Sequence, residues 1–149
     1  MKLPRSIFYF DPTRPLRSCK FNGVQYITDS YILLPRIYID HALKLSDQIE
    51  DMEALPALIE EITTAPALDV ELTPLAYLAH NTTVVIGKTS NELVFCKKQF
   101  IDALESFGKK IKYNSSRNMF IAESQGHFII CSKFNMLKTD EQLQKMLTI

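Results

Sequence analysis

Short apolar and aromatic runs, broken by turn residues, make up most of this chain, and a three-to-four-residue apolar spacing replaces them in a few segments. Residues 6–10 form a β-branched and aromatic run closed by Asp11-Pro12-Thr13-Arg14-Pro15, where two prolines require a loop. Residues 16–21 and 24–28 are apolar runs either side of Asn22-Gly23. That pair predicts a type I′ hairpin, because both residues tolerate positive φ. A second polar turn, Thr28-Asp29-Ser30, leads into residues 31–34, and Pro35 breaks that strand. Residues 1–39 therefore predict a β-meander.

Between residues 40 and 65, Leu43, Leu45, Ile49, Met52, Leu55, Leu58, Ile59 and Ile62 recur at helical spacing with acidic residues between them. Ser46 offers a cap, Asp47 suits the positive end of a helix, and Pro56 suits a first turn, dividing the segment into two helices. Thr73-Pro74 predicts a further short helix to about residue 79. Residues 83–86 then read as a strand, and residues 88–91 as its turn.

From residue 93 the pattern becomes a β-α-β-β-β unit. A strand over 93–96 leads to a helix over 97–107 that Gly108 stops, and strands follow over 111–114, 119–123 and 127–134. Thr139, with Gln142 three residues on, marks the start of a last helix. The fold class expected is α+β: antiparallel sheet with an N-terminal meander (1–39), a helical acidic insert (40–80), the β-α-β-β-β unit (81–138) and a C-terminal helix (139–149), all in one domain of 149 residues.

Composition changes this picture little. A 46% hydrophobic and 23% charged chain with zero formal charge is that of an ordinary globular protein, not of a strongly basic nucleic-acid binder. The zero conceals a segregation. Residues 1–39 carry six basic and two acidic side chains, and residues 40–72 nine acidic against Lys44 alone. Residues 73–138 carry nine basic and four acidic. Either each surface is simply solvated, or the basic segments meet in space and face an anion while the acidic helices point elsewhere. Cys19, Cys96 and Cys131 are an odd number without tight spacing, which predicts free thiols and a reducing compartment. No signal-peptide core and no apolar run of membrane length is present, so the expected location is cytoplasmic.

Catalytic signatures are missing. His41, His80 and His127 lack partners at metal-ligand spacing, and no cofactor or metal is expected. Gly87-Lys88-Thr89 lacks the earlier glycine of a phosphate loop and reads as a turn. Asp29, near Tyr26, Thr28 and Tyr31, can tie its turn by accepting backbone N–H groups or act as a general base. The cations are more suggestive. Lys97 and Lys98 open the predicted helix on the unfavourable side of its dipole, which suits phosphate contact, although Asp102 can offset Lys98. Lys109 and Lys110 suit the helix C-terminus, with Lys112 and Arg117 following, and Arg14, Arg17 and Lys20 form a second patch.

Leu93-Val94-Phe95-Cys96, Gln99-Phe100-Ile101-Asp102-Ala103-Leu104 and the closing strand His127-Phe128-Ile129-Ile130-Cys131-Ser132 resemble the closing half of a bacterial sliding-clamp domain. Val24-Gln25-Tyr26-Ile27-Thr28-Asp29-Ser30-Tyr31-Ile32-Leu33-Leu34 is similar to the "alanine-threonine-aspartate-glycine" hairpin of clamp-like proteins from phages and mobile elements. The resemblance implies a clamp-like domain that assembles by edge-strand pairing and whose helix faces duplex DNA. The acidic insert has no counterpart in a standard clamp.

The function expected is thus non-enzymatic: binding of the double-stranded DNA backbone, or of a replication or recombination partner. The residues involved are Lys97, Lys98, Lys109, Lys110, Lys112 and Arg117, with Arg14, Arg17 and Lys20 beside them. The alternative is a protein-interaction module that uses the acidic insert and binds no nucleic acid. An enzyme built on Asp29 and Tyr31 is a third reading.

Overall fold

A computed structural model of the chain describes residues 2–79 and 81–134. His80 and the helix expected over 139–149 lie outside them. The fold is mixed α+β, with eleven strands, two α-helices and three short 3-10 turns among the described residues. An eight-stranded sheet, in the order β4-β1-β2-β3-β11-β10-β9-β5, forms the centre. Its strands are β1 (Leu16–Phe21), β2 (Val24–Thr28), β3 (Ile32–Pro35), β4 (Ile49–Asp51), β5 (Leu68–Asp69), β9 (Ile111–Asn114), β10 (Met119–Ser124) and β11 (His127–Ser132). A second sheet holds β6 (Glu71–Ala79), β7 (Thr82–Lys88) and β8 (Leu93–Lys97). Every pairing between these strands is antiparallel except that of β1 with β4.

Side-chain alternation makes the central sheet apolar on both faces. One face carries Leu16, Ile27, Leu34, Tyr113, Phe120, Ile129 and Cys131, which pack with Phe100, Ile101 and Leu104 of α2 (Lys98–Phe107). The other carries Cys19, Phe21, Tyr26, Leu33, Ile121 and Ile130, covered by Leu55, Ile59 and Ile62 of α1 (Leu55–Thr64). The two helices therefore sit on opposite faces. Neither they nor any other helix of the described residues is long and apolar enough to cross a membrane.

The local signals hold where neighbouring residues decide the geometry. Asn22 and Gly23 take φ values of 51° and 78°, closing the β1–β2 hairpin as its residue types predict. The order β8, α2, β9, β10, β11 follows the predicted unit, although β8 belongs to the second sheet. Gly108 ends α2, but in an extended conformation (φ −129°). A Cβ there would stand 3.0 Å from the Glu123 carbonyl, so any other residue would press on β10.

Three expectations fail. Residues 6–10 are not a strand: Arg5–Ile7 form a 3-10 turn that delivers Ile7 and Phe8 to the core. Residues 40–54 are not a helix. Asp40–Ala42 form a single 3-10 turn, and Ile49–Asp51 pair parallel with Leu16, Arg17 and Ser18. That register packs half-buried Ile49 against the core, sets Glu50 beside Arg17, and places Asp51 where the Ser18 hydroxyl donates to it at 2.9 Å. Partners on β1 thus outweigh the helical spacing. Ser46 caps nothing; instead the Lys44 N–H donates to Asp47 at 2.8 Å. Finally, Thr73-Pro74 opens no helix, because both residues lie within β6. The Thr73 hydroxyl donates to the Ile86 carbonyl at 2.7 Å, across a register shift between Leu72 and Ala76 that accommodates the proline.

Candidate nucleic-acid interface

The nine cations expected to form a binding surface do not share one region. Lys97 and Lys98 stand at the N-terminal end of α2, in a cleft with Thr82, Thr83 and Gln99. The Lys98 ammonium donates to Asp102 at 2.8 Å, and this hydrogen bond holds its pKa above the ordinary lysine value. The Lys97 ammonium lies 5.5 Å from the Phe100 ring centroid. The exposed side chains of α2 are Lys98, Gln99, Asp102, Glu105 and Ser106, so its outer flank is net acidic. The helix does not present a row of ammonium groups.

Lys109, Lys110 and Lys112 meet in one open groove of about 1100 Å³ beyond the C-terminal ends of the two helices. Gly108 lets the chain turn tightly against β10 there, which carries Lys109 and Lys110 over the end of the sheet. Lys112 pairs in register with Ile121 and so points to the α1 face. Glu105 and Glu123 also line the groove. All three lysines are exposed, and none is in an ion pair among the described residues.

Arg117 does not join them. It lies in the β9–β10 turn, where its guanidinium meets Glu61 of α1 at 2.6 Å and its pKa is raised by that bond. Arg14 and Arg17 line a separate cleft of about 360 Å³ with Tyr9, Asp29 and Tyr31. Lys20 is three residues beyond Arg17 on β1 and therefore on the opposite sheet face.

The charge segregation resolves within the molecule. Arg5–Asp47 (2.6 Å), Arg17–Glu50 (3.4 Å), Arg36–Asp40 (2.8 Å) and Arg117–Glu61 (2.6 Å) each join a flanking basic residue to an acid of residues 40–72. The acidic segment lies against the basic ones rather than apart from them, because opposite charges brought together by folding satisfy one another. Asp47 shows the effect most clearly: the Arg5 hydrogen bond, with help from the Lys44 N–H, holds its carboxyl below the usual range.

Asp29 ties its turn, as one of its two readings expected. It accepts from the backbone N–H groups of Tyr9 (2.7 Å), Tyr31 (2.8 Å) and Ile32 (2.9 Å). Sequence reasoning missed Tyr9, because it placed residues 6–10 in a strand, and Asn114, whose burial depends on α1. No family model, curated protein or solved structure matches the chain.

Proposed function

We propose that this is a non-enzymatic nucleic-acid-binding protein that holds a phosphate backbone in the lysine groove. The observation that carries this reading is the convergence of Lys109, Lys110 and Lys112 on one open groove without carboxylate partners in ion-pair range among the described residues. Exposed ammonium groups on a groove wall neutralise phosphates whatever the base sequence. The clamp-like resemblance belongs to the same proposal, with one change: the end of α2 and the start of β9 make the contact, not the flank of the helix. Capture of a partner by the acidic segment is less favoured, because Asp40, Asp47, Glu50 and Glu61 already hold arginines.

The test is fluorescence anisotropy with labelled duplex across a salt series. Three neutralised phosphates correspond to a log–log slope of about −2.7, or about a 40-fold loss of affinity between ~50 and ~200 mM salt. The triple substitution Lys109→Ala, Lys110→Ala, Lys112→Ala removes most of that slope, whereas Lys98→Ala leaves it in place. Absence of binding at ~50 mM salt, or a slope unchanged in the triple variant, overturns the proposal.

A further inference from the structure

Between α1 and the central sheet lies an apolar slot of about 180 Å³ that shares no residue with the lysine groove. Its walls include Leu33, Met52, Leu58, Ile59, Met119 and Ile130. Protein interiors normally close gaps of this size, since lining atoms without neighbours forfeit dispersion contacts. An apolar lining of this kind binds water weakly and accepts small apolar molecules. The slot is not sealed: it shares Arg17, Ser30, Tyr31 and Met52 with the polar cleft that also holds Arg14 and Tyr9.

Several features of that mouth are unnecessary for packing. Arg14 is in no ion pair among the described residues, and Arg17 makes only the longest pair, 3.4 Å to Glu50. Tyr9 and Tyr31 are 63% and 47% exposed and meet edge to face at 6.2 Å. Ser30 holds φ at +84°, a conformation that residues with a Cβ rarely adopt and that gathers at functional sites. The two carboxylates at the mouth are already engaged, Asp29 by three backbone N–H groups and Asp11 by the N–H and hydroxyl of Thr13. Arg14 is left to meet an incoming anion, and Arg17 has only its exposed 3.4 Å pair with Glu50 to exchange for one.

We propose that the slot and its mouth bind a medium-chain aliphatic carboxylate. The alkyl chain lies among Leu33, Leu58, Ile59 and Ile130, and the carboxylate meets Arg17, with Arg14 beside it. A carboxylate matches the planar fork of a guanidinium. The slot's volume equals about six waters at ~30 Å³ each, which suits a chain of about six methylenes and so an acid of the octanoate class. This inference does not rest on the nucleic-acid reading.

The experiment titrates the full chain with hexanoate, octanoate, decanoate and octanol by calorimetry. Each added methylene tightens binding about fourfold until the slot is full. Octanol binds more weakly than octanoate, and Arg17→Gln weakens octanoate about tenfold while leaving octanol unchanged. Spectra with ¹³C-labelled methionine methyls give a readout that needs no variant: Met52 and Met119 shift on titration with octanoate. The Lys109, Lys110, Lys112 triple variant retains octanoate binding, which separates this site from the groove. Unmoved Met52 and Met119 signals, affinity independent of chain length, or equal effects of Arg17→Gln on octanoate and octanol overturn the proposal.

Discussion

Asn114 provides the sharpest test of how α1 is held on the sheet. It is fully buried at the end of β9, with 0% exposure. Its amide nitrogen donates to the Ile62 carbonyl at 3.3 Å, and its amide oxygen accepts from the Ser116 hydroxyl at 2.6 Å and the Arg117 N–H at 3.1 Å. The Ile62 carbonyl needs this donor for a reason visible in the chain. Its helical partner four residues on is Pro66, which has no N–H. Asn114→Ala leaves the Ile62 carbonyl and the Arg117 N–H without this partner, at about 1–3 kcal/mol each, so a loss of about 2–6 kcal/mol is expected. Asn114→Asp preserves the shape and the two accepted bonds. When ionised, however, it sets a buried carboxylate oxygen against the Ile62 carbonyl, at a cost of about 3–5 kcal/mol. When protonated it restores a donor. The folded pKa of such an aspartate is raised above the unfolded value of about 3.9, so its contribution is full below pH ~3.9 and is lost as pH rises through the folded value. Urea denaturation of wild type and both variants at pH ~4 and ~7 measures this. The deficit of Asn114→Asp relative to wild type should be large at neutral pH and shrink in acid, while that of Asn114→Ala stays constant. An aspartate deficit that is the same at both pH values, or below about 1 kcal/mol at neutral pH, refutes the reasoning.

Two further predictions concern packing and titration. Gly108→Ala should destabilise by about 1–2 kcal/mol, because the Cβ clash with the Glu123 carbonyl at 3.0 Å outweighs the usual entropic gain of that substitution; a thermal melt showing stabilisation rejects the close-approach account. Burial pushes the Cys96 thiol up to about 12 and raises Cys131 well above its ordinary value. Both thiols are thus bound to their protons in the fold at pH values where the unfolded chain ionises. Their contribution is complete below pH ~8.5 and declines above it, by about 1 kcal/mol per thiol per pH unit. Urea midpoints from pH ~8 to ~10 should fall in wild type and fall less steeply in Cys96→Ala; equal slopes contradict this.

The candidate site was legible where its parts are sequence neighbours. Lys109, Lys110 and Lys112 follow a helix end that the chain itself predicts, and the groove collects all three. The ion pair of Arg117 was not legible, because its partner, Glu61, is 56 residues away and arrives only when α1 packs on the sheet. Lys97 and Lys98 stand at the N-terminal end of α2 as the sequence expects, and the folded helix sets Asp102 and Glu105 on the exposed flank beside them. The apolar slot had no sequence signature, since its walls come from five strands and a helix.

By itself the sequence determined the elements whose geometry is local. Asn22-Gly23 closes a hairpin, Pro56 starts a helix, and alternation builds a two-faced apolar sheet. The order from β8 to β11 follows from runs whose turns lie beside them. Tertiary structure alone decided what residues 40–51 and 71–79 become. The apolar spacing of the first and the Thr73-Pro74 cap of the second suit a helix, but a parallel place beside β1 packs half-buried Ile49 against the core and pairs Glu50 with Arg17, and β7 fixes Thr73 in a strand. The physical reason is that a strand's hydrogen bonds, and a charge's counterion, belong to another part of the chain. No window of neighbouring residues contains them.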